Sequence, residues 1–267
     1  MIIMKKFITF LVLFSFFCSC NEYQKAVKSE DVTVKLKAAT AQYDKRKYDK
    51  AIRLFEQVAP SYKGKPNAER LFYMLSKSYY NTKQYYLSGY QFESFVSSYP
   101  KSENVEEAAF LGAKSFSMLS PVYSLDQSDT DKAIDKMQSF IDLYPSSTKM
   151  DEANKIIKEL KSKVELKVFE NAKQYNTISD FKSAQVAMTN FIDDFPGTKF
   201  KEDALFYKLD SAYKLAINSV QTKMKERLLV AQTDYLSLLK FKADTKYKKQ
   251  VELMKARIET DLKQFSK

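Results

Sequence analysis

Four pairs of neighbouring carboxylates are the residues of this 267-residue sequence whose spacing could support acid–base chemistry. Three of the pairs lie at the start of a predicted helix, where negative charge complements the helix dipole by about 0.3 to 1 kcal/mol. The pairs recur along the chain and do not converge on one site, so we interpret them as residues that begin helices. They are Glu106-Glu107, Asp151-Glu152, Asp193-Asp194 and Glu202-Asp203.

The residue inventory excludes most familiar catalytic sites. The sequence contains no His, and its two cysteines are Cys18 and Cys20, which excludes zinc sites, haem ligation and histidine-based triads. Its 4 glycines are too scattered to form a phosphate-binding loop. A serine–lysine nucleophile such as Ser76-Lys77 would lie inside a regular helix. We therefore predict no enzymatic activity, no metal and no cofactor.

Residues 1–19 have the features of a secretion signal. Two lysines precede an apolar run from Phe7 to Phe17, which is too short to span a bilayer as a mature helix. The small residues before Cys20 resemble the signal of bacterial lipoproteins, in which the chain is cleaved before a cysteine that then carries diacylglycerol. The resemblance implies lipidation of Cys20, with Phe17 departing from the usual leucine. An ordinary secretion signal is the alternative.

Residues 20–31 are predicted to form the acylated cysteine and a flexible tether, because the segment from Asn21 to Asp31 is polar and shows little apolar pattern. Bacterial lipoproteins that carry aspartate after the cysteine are retained at the inner membrane, and this chain has Asn21 there. The resemblance therefore implies an anchor in the outer membrane. The tether itself leaves the leaflet open, and we expect the periplasmic face.

Composition favours an all-helical domain. Apolar residues make up 45% of the chain, which gives ample core, whereas 4 glycines and 6 prolines are too few for the many tight turns of an all-β protein. The 44 Lys and Arg residues exceed the 33 Asp and Glu residues, so the net charge is +11.

Three prolines, Pro100, Pro145 and Pro196, stand in the same sequence context. A small residue, an aromatic residue or methionine, and a phenylalanine precede each proline at fixed distances, with helical spacing of i, i+4 and i+7. An acidic pair and an alanine follow it. The positions are Ser88, Ala133 and Ala184; Phe92, Met137 and Met188; Phe95, Phe140 and Phe191; and Ala108, Ala153 and Ala204. An N-terminal copy has the same internal spacing with Ala51, Phe55 and Val58, and a weaker C-terminal copy contains Ala231, Tyr235 and Leu238.

Each copy is predicted to be a helical hairpin whose second helix ends at the proline. The pattern resembles tetratricopeptide repeats, most closely over Tyr48 to Glu56. We expect an all-α fold, a right-handed superhelix of about five such hairpins over residues 32–267, with an inserted loop around Ser120 to Asp129. The predicted repeats are 32–66, 67–102, 103–147, 148–198 and 199–243, followed by a capping helix at 245–265.

The string from Phe92 to Ser102, F-x-x-F-V-x-x-Y-P-x-S, precedes Glu106-Glu107-Ala108 and resembles the BamD family of lipoproteins. That resemblance implies a role in the outer-membrane β-barrel assembly machinery. Its C-terminal half would bind a BamA-like barrel subunit, and its N-terminal half would bind unfolded outer-membrane β-barrel precursors. A sugar-binding lipoprotein related to SusD, for which the absence of Trp is unfavourable, and a periplasmic structural factor are the alternatives.

Ten aromatic residues lie between Phe72 and Tyr99, more than the repeat pattern needs for its core. The tyrosines outside the repeat positions are candidates for binding an extended peptide with an aromatic end, because tyrosine gives a large contact area and a hydroxyl. These candidates are Tyr73, Tyr80, Tyr86 and Tyr90.

Six basic residues cluster in sequence around the last predicted hairpin, where the resemblance implies docking of the barrel subunit. A solvated surface and attraction to anionic membrane or acidic domains are the other interpretations of the excess charge. Nucleic-acid binding is discounted, because a secreted lipoprotein meets little nucleic acid and no reading motif is present. The six are Lys223, Lys225, Arg227, Lys246, Lys248 and Lys249.

Overall fold

The computed structural model describes residues 22–65 and 68–265, and every regular element in these two ranges is a helix. The predicted all-helical fold, of the kind formed by tetratricopeptide-like repeats, is therefore confirmed. The predicted signal peptide and Cys20 lie outside the described residues.

The helices follow one another with short connections. A short helix, α1, covers residues 22–28. It is followed by α2 (Val32–Asp44), α3 (Tyr48–Tyr62), α4 (Ala68–Asn81), α5 (Tyr85–Ser98), α6 (Val105–Ser117), α7 (Ser128–Leu143), α8 (Met150–Thr177), α9 (Phe181–Asp194), α10 (Lys201–Ile217), α11 (Gln221–Phe241) and α12 (Lys248–Lys263).

The chain forms two compact units. The first contains the described residues up to Pro121 together with Asp126–Leu160, and the second contains Val122–Leu125 and the residues from Lys161 onward. Within the first unit, each of the helices from α2 to α7 packs against the next, and within the second unit α9 to α12 do the same. Helix α8 contributes residues to both units.

The repeated small and apolar positions form the core, as predicted. Their side chains are buried in every copy, including the first copy and the weaker last one. Complete burial of an aromatic or aliphatic side chain stabilises a fold by about 1.5 to 3 kcal/mol relative to exposure. The largest of these buried side chains are Phe55, Phe92, Phe95, Phe140, Phe191, Met137, Met188 and Leu238.

The second helix of three hairpins ends in one recurring arrangement. The backbone N–H groups of Tyr99, Tyr144 and Phe195 bond to the carbonyl oxygens of the phenylalanines four residues earlier, at 2.8 to 3.0 Å. The rings also pack on those phenylalanines, with centroids 5.2 to 5.4 Å apart. The proline that follows cannot continue the helix, so the aromatic residue closes it.

Three hairpin turns contain a non-glycine residue with left-handed backbone. The φ angles of Arg46, Lys83 and Ser179 are 55°, 61° and 65°. In each case the next residue donates its N–H back across the turn, as when Gln84 bonds to the Tyr79 carbonyl at 2.9 Å. These bonds satisfy carbonyl groups that the end of the first helix would otherwise leave free.

Residues 22–28 form a helix in the segment where the sequence predicts a flexible tether. Tyr23 and Ala26 are buried in a cluster with residues of α2 to α4, and Val27 packs at its edge. The Lys50 ammonium lies 5.1 Å from the centre of the Tyr23 ring. The i, i+3, i+4 spacing of these three residues is a helical stripe too short to stand out in a polar segment.

Candidate peptide-binding and docking surfaces

Tyr73, on α4, belongs to the packing between helices. Its ring lies 6.4 Å from Phe92 and 5.6 Å from Phe95, centre to centre, and its hydroxyl donates a 2.6 Å hydrogen bond to Glu107 Oε2. Burial, and then the bond to Glu107, raises the pKa of Tyr73 to about 12. Both the ring and the hydroxyl of Tyr73 are thus already engaged within the protein.

Tyr80 lies about two turns further along the same helix and is also half-buried. It packs at the edge of the cluster formed by Phe92, Phe95 and Ala108, and its ring meets Tyr85 edge to face at 5.8 Å. Of the four candidate tyrosines, Tyr73 and Tyr80 therefore share one apolar cluster.

Tyr86 and Tyr90 are exposed on α5, with 61% and 40% of their surfaces accessible. Their ring centres are 4.8 Å apart, and the Tyr90 ring stands edge-on to Phe116 at 5.4 Å. The Lys132 Nζ donates a 2.6 Å hydrogen bond to the Tyr90 hydroxyl and lies 4.6 Å from the ring centre. We call Tyr86, Tyr90 and Lys132 the tyrosine–lysine surface.

The tyrosine–lysine surface presents an ammonium group that is hydrogen-bonded to a phenol. The hydrogen bond from Lys132, followed by that from Tyr86, lowers the pKa of Tyr90, and the same contact raises the pKa of Lys132. An ammonium group beside two exposed rings can pair with a carboxylate while the rings contact an aromatic side chain.

Lys132 is a residue that the sequence reasoning missed. It is contributed by α7, 42 residues after Tyr90, and no local motif marks it. The sequence signal that could have identified Lys132 is its position directly before Ala133, a small residue that lets α7 approach its neighbouring helix closely. Phe116 of helix α6 contacts both Tyr90 and Lys132.

An open apolar groove of about 360 Å³ lies between α5, α6 and α7. Its floor consists of small residues of α6, and the Glu93–Lys136 ion pair, at 2.6 Å, stands on its rim. The Lys136 ammonium also lies 5.9 Å from the Phe116 ring, which Tyr90 and Lys132 approach as well, so the groove adjoins the tyrosine–lysine surface. The floor residues are Ala108, Ala109, Gly112 and Ala113.

In two of the acidic pairs, the second carboxylate bonds to a side chain of the preceding hairpin. Glu107 accepts hydrogen bonds from Tyr73 and, at 2.9 Å, from Lys77, both on the first helix of the preceding hairpin. Burial raises the pKa of Glu107, but the bonds from Lys77 and Tyr73 outweigh it and the net pKa is lowered. Glu152 likewise pairs with Lys114 at 2.6 Å.

The six basic candidates form two separate groups. Lys223, Lys225 and Arg227 lie in the first two turns of α11, whereas Lys246, Lys248 and Lys249 follow its other end. At 1.5 Å per residue, about 24 Å of helix separates Lys225 from Phe241 at that end. The candidates therefore lie in two groups, one at each end of α11.

The two groups differ in their internal contacts. Lys246 pairs with Asp203 at 2.5 Å, and its backbone N–H bonds to Glu202 at 2.8 Å. The bond from Lys242 to Glu202 is the main reason that the pKa of Glu202 falls to about 2. Arg227 bonds to the Ser219 hydroxyl at 2.5 Å.

Other kinds of site are absent from the part of the chain that the structure describes. No group of three or more His, Cys, Asp or Glu side chains in residues 22–65 and 68–265 could hold a metal ion. No helix within the same ranges has the length and apolar character needed to cross a membrane.

Helical hairpins with repeated core positions define a helical-repeat scaffold protein. The chain belongs to the YfiO family of outer membrane lipoproteins, whose family model matches residues 29–229, roughly three quarters of the chain. This is the BamD family, so the resemblance seen in the sequence is confirmed. No curated protein matches the chain.

Proposed function

We propose that this protein is a non-catalytic adaptor of the outer-membrane β-barrel assembly machinery. It is anchored to the periplasmic face of the outer membrane by acylated Cys20, binds unfolded outer-membrane β-barrel precursors, and docks to a BamA-like barrel subunit. Membership of the family of outer membrane lipoproteins supports this role. Its mechanism is presentation: a rigid helical surface holds an extended precursor segment beside the subunit that inserts it.

The exposed pair Tyr86 and Tyr90 with Lys132 is the observation that carries the proposal. Its two rings and ammonium are accessible, whereas Tyr73 and Tyr80 are committed to internal packing. An extended peptide with an aromatic terminal residue would place its ring against the tyrosines and its carboxylate on Lys132. The adjoining groove above α6 would accept apolar side chains further along the peptide.

A peptide-binding measurement tests the precursor site. The probe is a synthetic peptide with the last ten or so residues of a barrel precursor, a terminal aromatic residue and a free carboxylate. Replacing Tyr86 and Tyr90 together by Ala should weaken binding by about tenfold or more, and Lys132→Gln should reduce the preference for the free carboxylate over an amidated peptide. The matched control is Tyr175→Ala, which alters an exposed tyrosine of α8. Equal affinity for the double variant and the unaltered chain would contradict this site.

Docking to the barrel subunit is proposed to use the last hairpin, α10 and α11, with the basic group Lys223, Lys225 and Arg227. Pull-down of the tagged full chain from its native membrane should recover a BamA-like protein. Charge reversal at Lys223 and Lys225 should lower the recovery, since both side chains are exposed. Consistent absence of such a protein from the recovered material would refute the adaptor role.

A further inference from the structure

The last hairpin departs from the way the other hairpins end. The N–H of Lys242 bonds to the carbonyl of Leu238 at 2.8 Å, the same closing bond that Tyr99, Tyr144 and Phe195 make in their repeats. Lys242 therefore holds the place of the closing aromatic residue. Its ammonium bonds to Glu202 at 2.7 Å, so it is tied to the start of α10 and does not pack on the core.

The aromatic residue of this hairpin is displaced by one position, to Phe241. The closing aromatic rings of the other hairpins are half-buried against a core phenylalanine, but 48% of Phe241 is exposed. Leaving so large an apolar side chain in water forgoes the stabilisation that the repeat position offers. Phe241 therefore places an aromatic ring on the surface at the end of the last hairpin.

Seven lysines lie at this end of the last hairpin, around the start of α10, the end of α11 and the start of α12. The Lys201 ammonium lies 5.6 Å from its ring centre, and Lys199 lies 5.1 Å from the ring of neighbouring Phe200. The carboxylates of Glu202, Asp203 and Asp244 offset only part of the charge. The group, which we call the lysine tip, consists of Phe241 with Lys199, Lys201, Lys240, Lys242, Lys246, Lys248 and Lys249.

We propose that the lysine tip binds an anionic phospholipid surface, with Phe241 entering the interface and the lysines contacting phosphate groups. Long lysine side chains keep their charge in the headgroup layer while their stems and an aromatic ring lie deeper. Each lysine close to such a surface strengthens binding by about fivefold before screening. The proposal extends the adaptor role but does not depend on it.

Two observations favour a membrane over an acidic protein. Phe241 presents an exposed ring among exposed lysines, a combination suited to a lipid interface, and the chain belongs to a family of outer membrane lipoproteins. Phe241 and five of the seven lysines also follow residue 229, where the family match ends, so most of the tip lies beyond the matched region. The other basic group, Lys223 with Lys225 and Arg227, is left available for a protein partner.

A tryptophan reporter tests the proposal directly, because the sequence contains no Trp. The full chain carrying Phe241→Trp is mixed with vesicles of phosphatidylcholine alone or with about 30% phosphatidylglycerol. Only the anionic vesicles should move the emission maximum to shorter wavelength, and high salt should restore the original wavelength. The matched control is Val186→Trp, on α9 of the same unit and 58% exposed, which should not respond.

Paired charge variants in the reporter chain complete the test. The double variant Lys248→Gln and Lys249→Gln should lose most of the spectral shift. The double variant Lys223→Gln and Lys225→Gln makes an equal change of charge at the other end of α11 and should keep the full shift. No shift for Phe241→Trp, equal shifts for both reporters or equal losses in both pairs would overturn the proposal. So would a shift that needs the periplasmic part of the barrel subunit, which would assign the tip to protein docking. The vesicles contain neither peptide nor partner, so failure here would leave the adaptor role standing.

Discussion

The hydroxyl of Ser147 donates a 2.6 Å hydrogen bond to Oε1 of Glu106, joining the residue two positions after a repeat proline to the start of the same hairpin. The same relationship joins Ser102 to Glu69 at 2.6 Å and Thr245 to Glu202 at 2.8 Å. Each hydroxyl also accepts a backbone N–H two residues later, as Ser147 does from Lys149. The bond thus closes the hairpin and shapes the turn into the next helix.

Replacing Ser147 by Ala should lower the free energy of unfolding by about 1 to 2 kcal/mol. The variant removes a hydrogen bond to a carboxylate, the stronger kind, and leaves Glu106 without that donor. Chemical denaturation followed by circular dichroism measures the change. The control is Ser146→Ala, which alters an exposed neighbour in the same turn. Equal stability of the two variants would show that the closing bond contributes little.

The closing carboxylate of the last hairpin should make stability depend on pH. The hydrogen bond from Lys242, with those from the Lys246 backbone and Thr245, lowers the pKa of Glu202 from 4.5 to about 2. A carboxyl group whose pKa is lower in the folded protein stabilises the fold above its unfolded pKa, and that contribution is lost as pH falls through the folded pKa.

The measurement compares the unfolding free energy of the unaltered chain with that of Glu202→Gln. The difference should be constant above about pH 5 and shrink steadily as pH falls from 4.5 towards 2. Glu226→Gln, an exposed glutamate of α11, is the control and should show a small difference throughout. A difference for Glu202→Gln that does not change over this window would refute the assignment.

The helical periodicity made the core predictable. Phe95, Phe140 and Phe191 recur at one distance from a proline, and burial of one helix face follows from that spacing alone. Local sequence also marked the helix ends, since proline removes a donor and restricts the residue before it. These features depend on neighbours within a few positions.

Features that depend on the next repeat were not predictable in the same way. Lys132 reaches Tyr90 across 42 residues, and Glu107 reaches Tyr73 across 34. The candidate tyrosines could be identified by type, but whether a ring is packed or exposed is decided by these distant partners. The exposure of Phe241 follows from a shift of one residue, visible only when its closing hydrogen bond is aligned with those of other repeats.

Gly112 marks a close approach of α6 to α5, and substitution there should be destabilising. A Cβ at this position would lie 3.1 Å from the Cβ of Phe92, which is buried and attached directly to the backbone of α5. Overpacking should cost about 1 to 3 kcal/mol in Gly112→Ala, more than the gain of about 1 kcal/mol in helix propensity.

Thermal unfolding of Gly112→Ala and of Gly197→Ala provides the comparison. A Cβ at Gly197 would meet no atom within 4 Å, so that variant should be neutral or slightly more stable. A net gain in stability for Gly112→Ala would mean that α5 and α6 can separate without loss, contrary to the packing described for Phe92.

The left-handed turn residue Lys83 offers a stabilising substitution. Its φ of 61° is unfavourable for a residue with a Cβ, while its turn is fixed by the 2.9 Å bond from the N–H of Gln84 to the Tyr79 carbonyl. Glycine adopts this conformation without strain, so Lys83→Gly should raise the free energy of unfolding by about 0.5 to 1 kcal/mol. Lys83→Ala removes the same exposed side chain but keeps the strain, and should give no comparable gain. Denaturant titration of both variants separates the backbone effect from loss of the lysine, and equal effects of Gly and Ala would contradict the prediction.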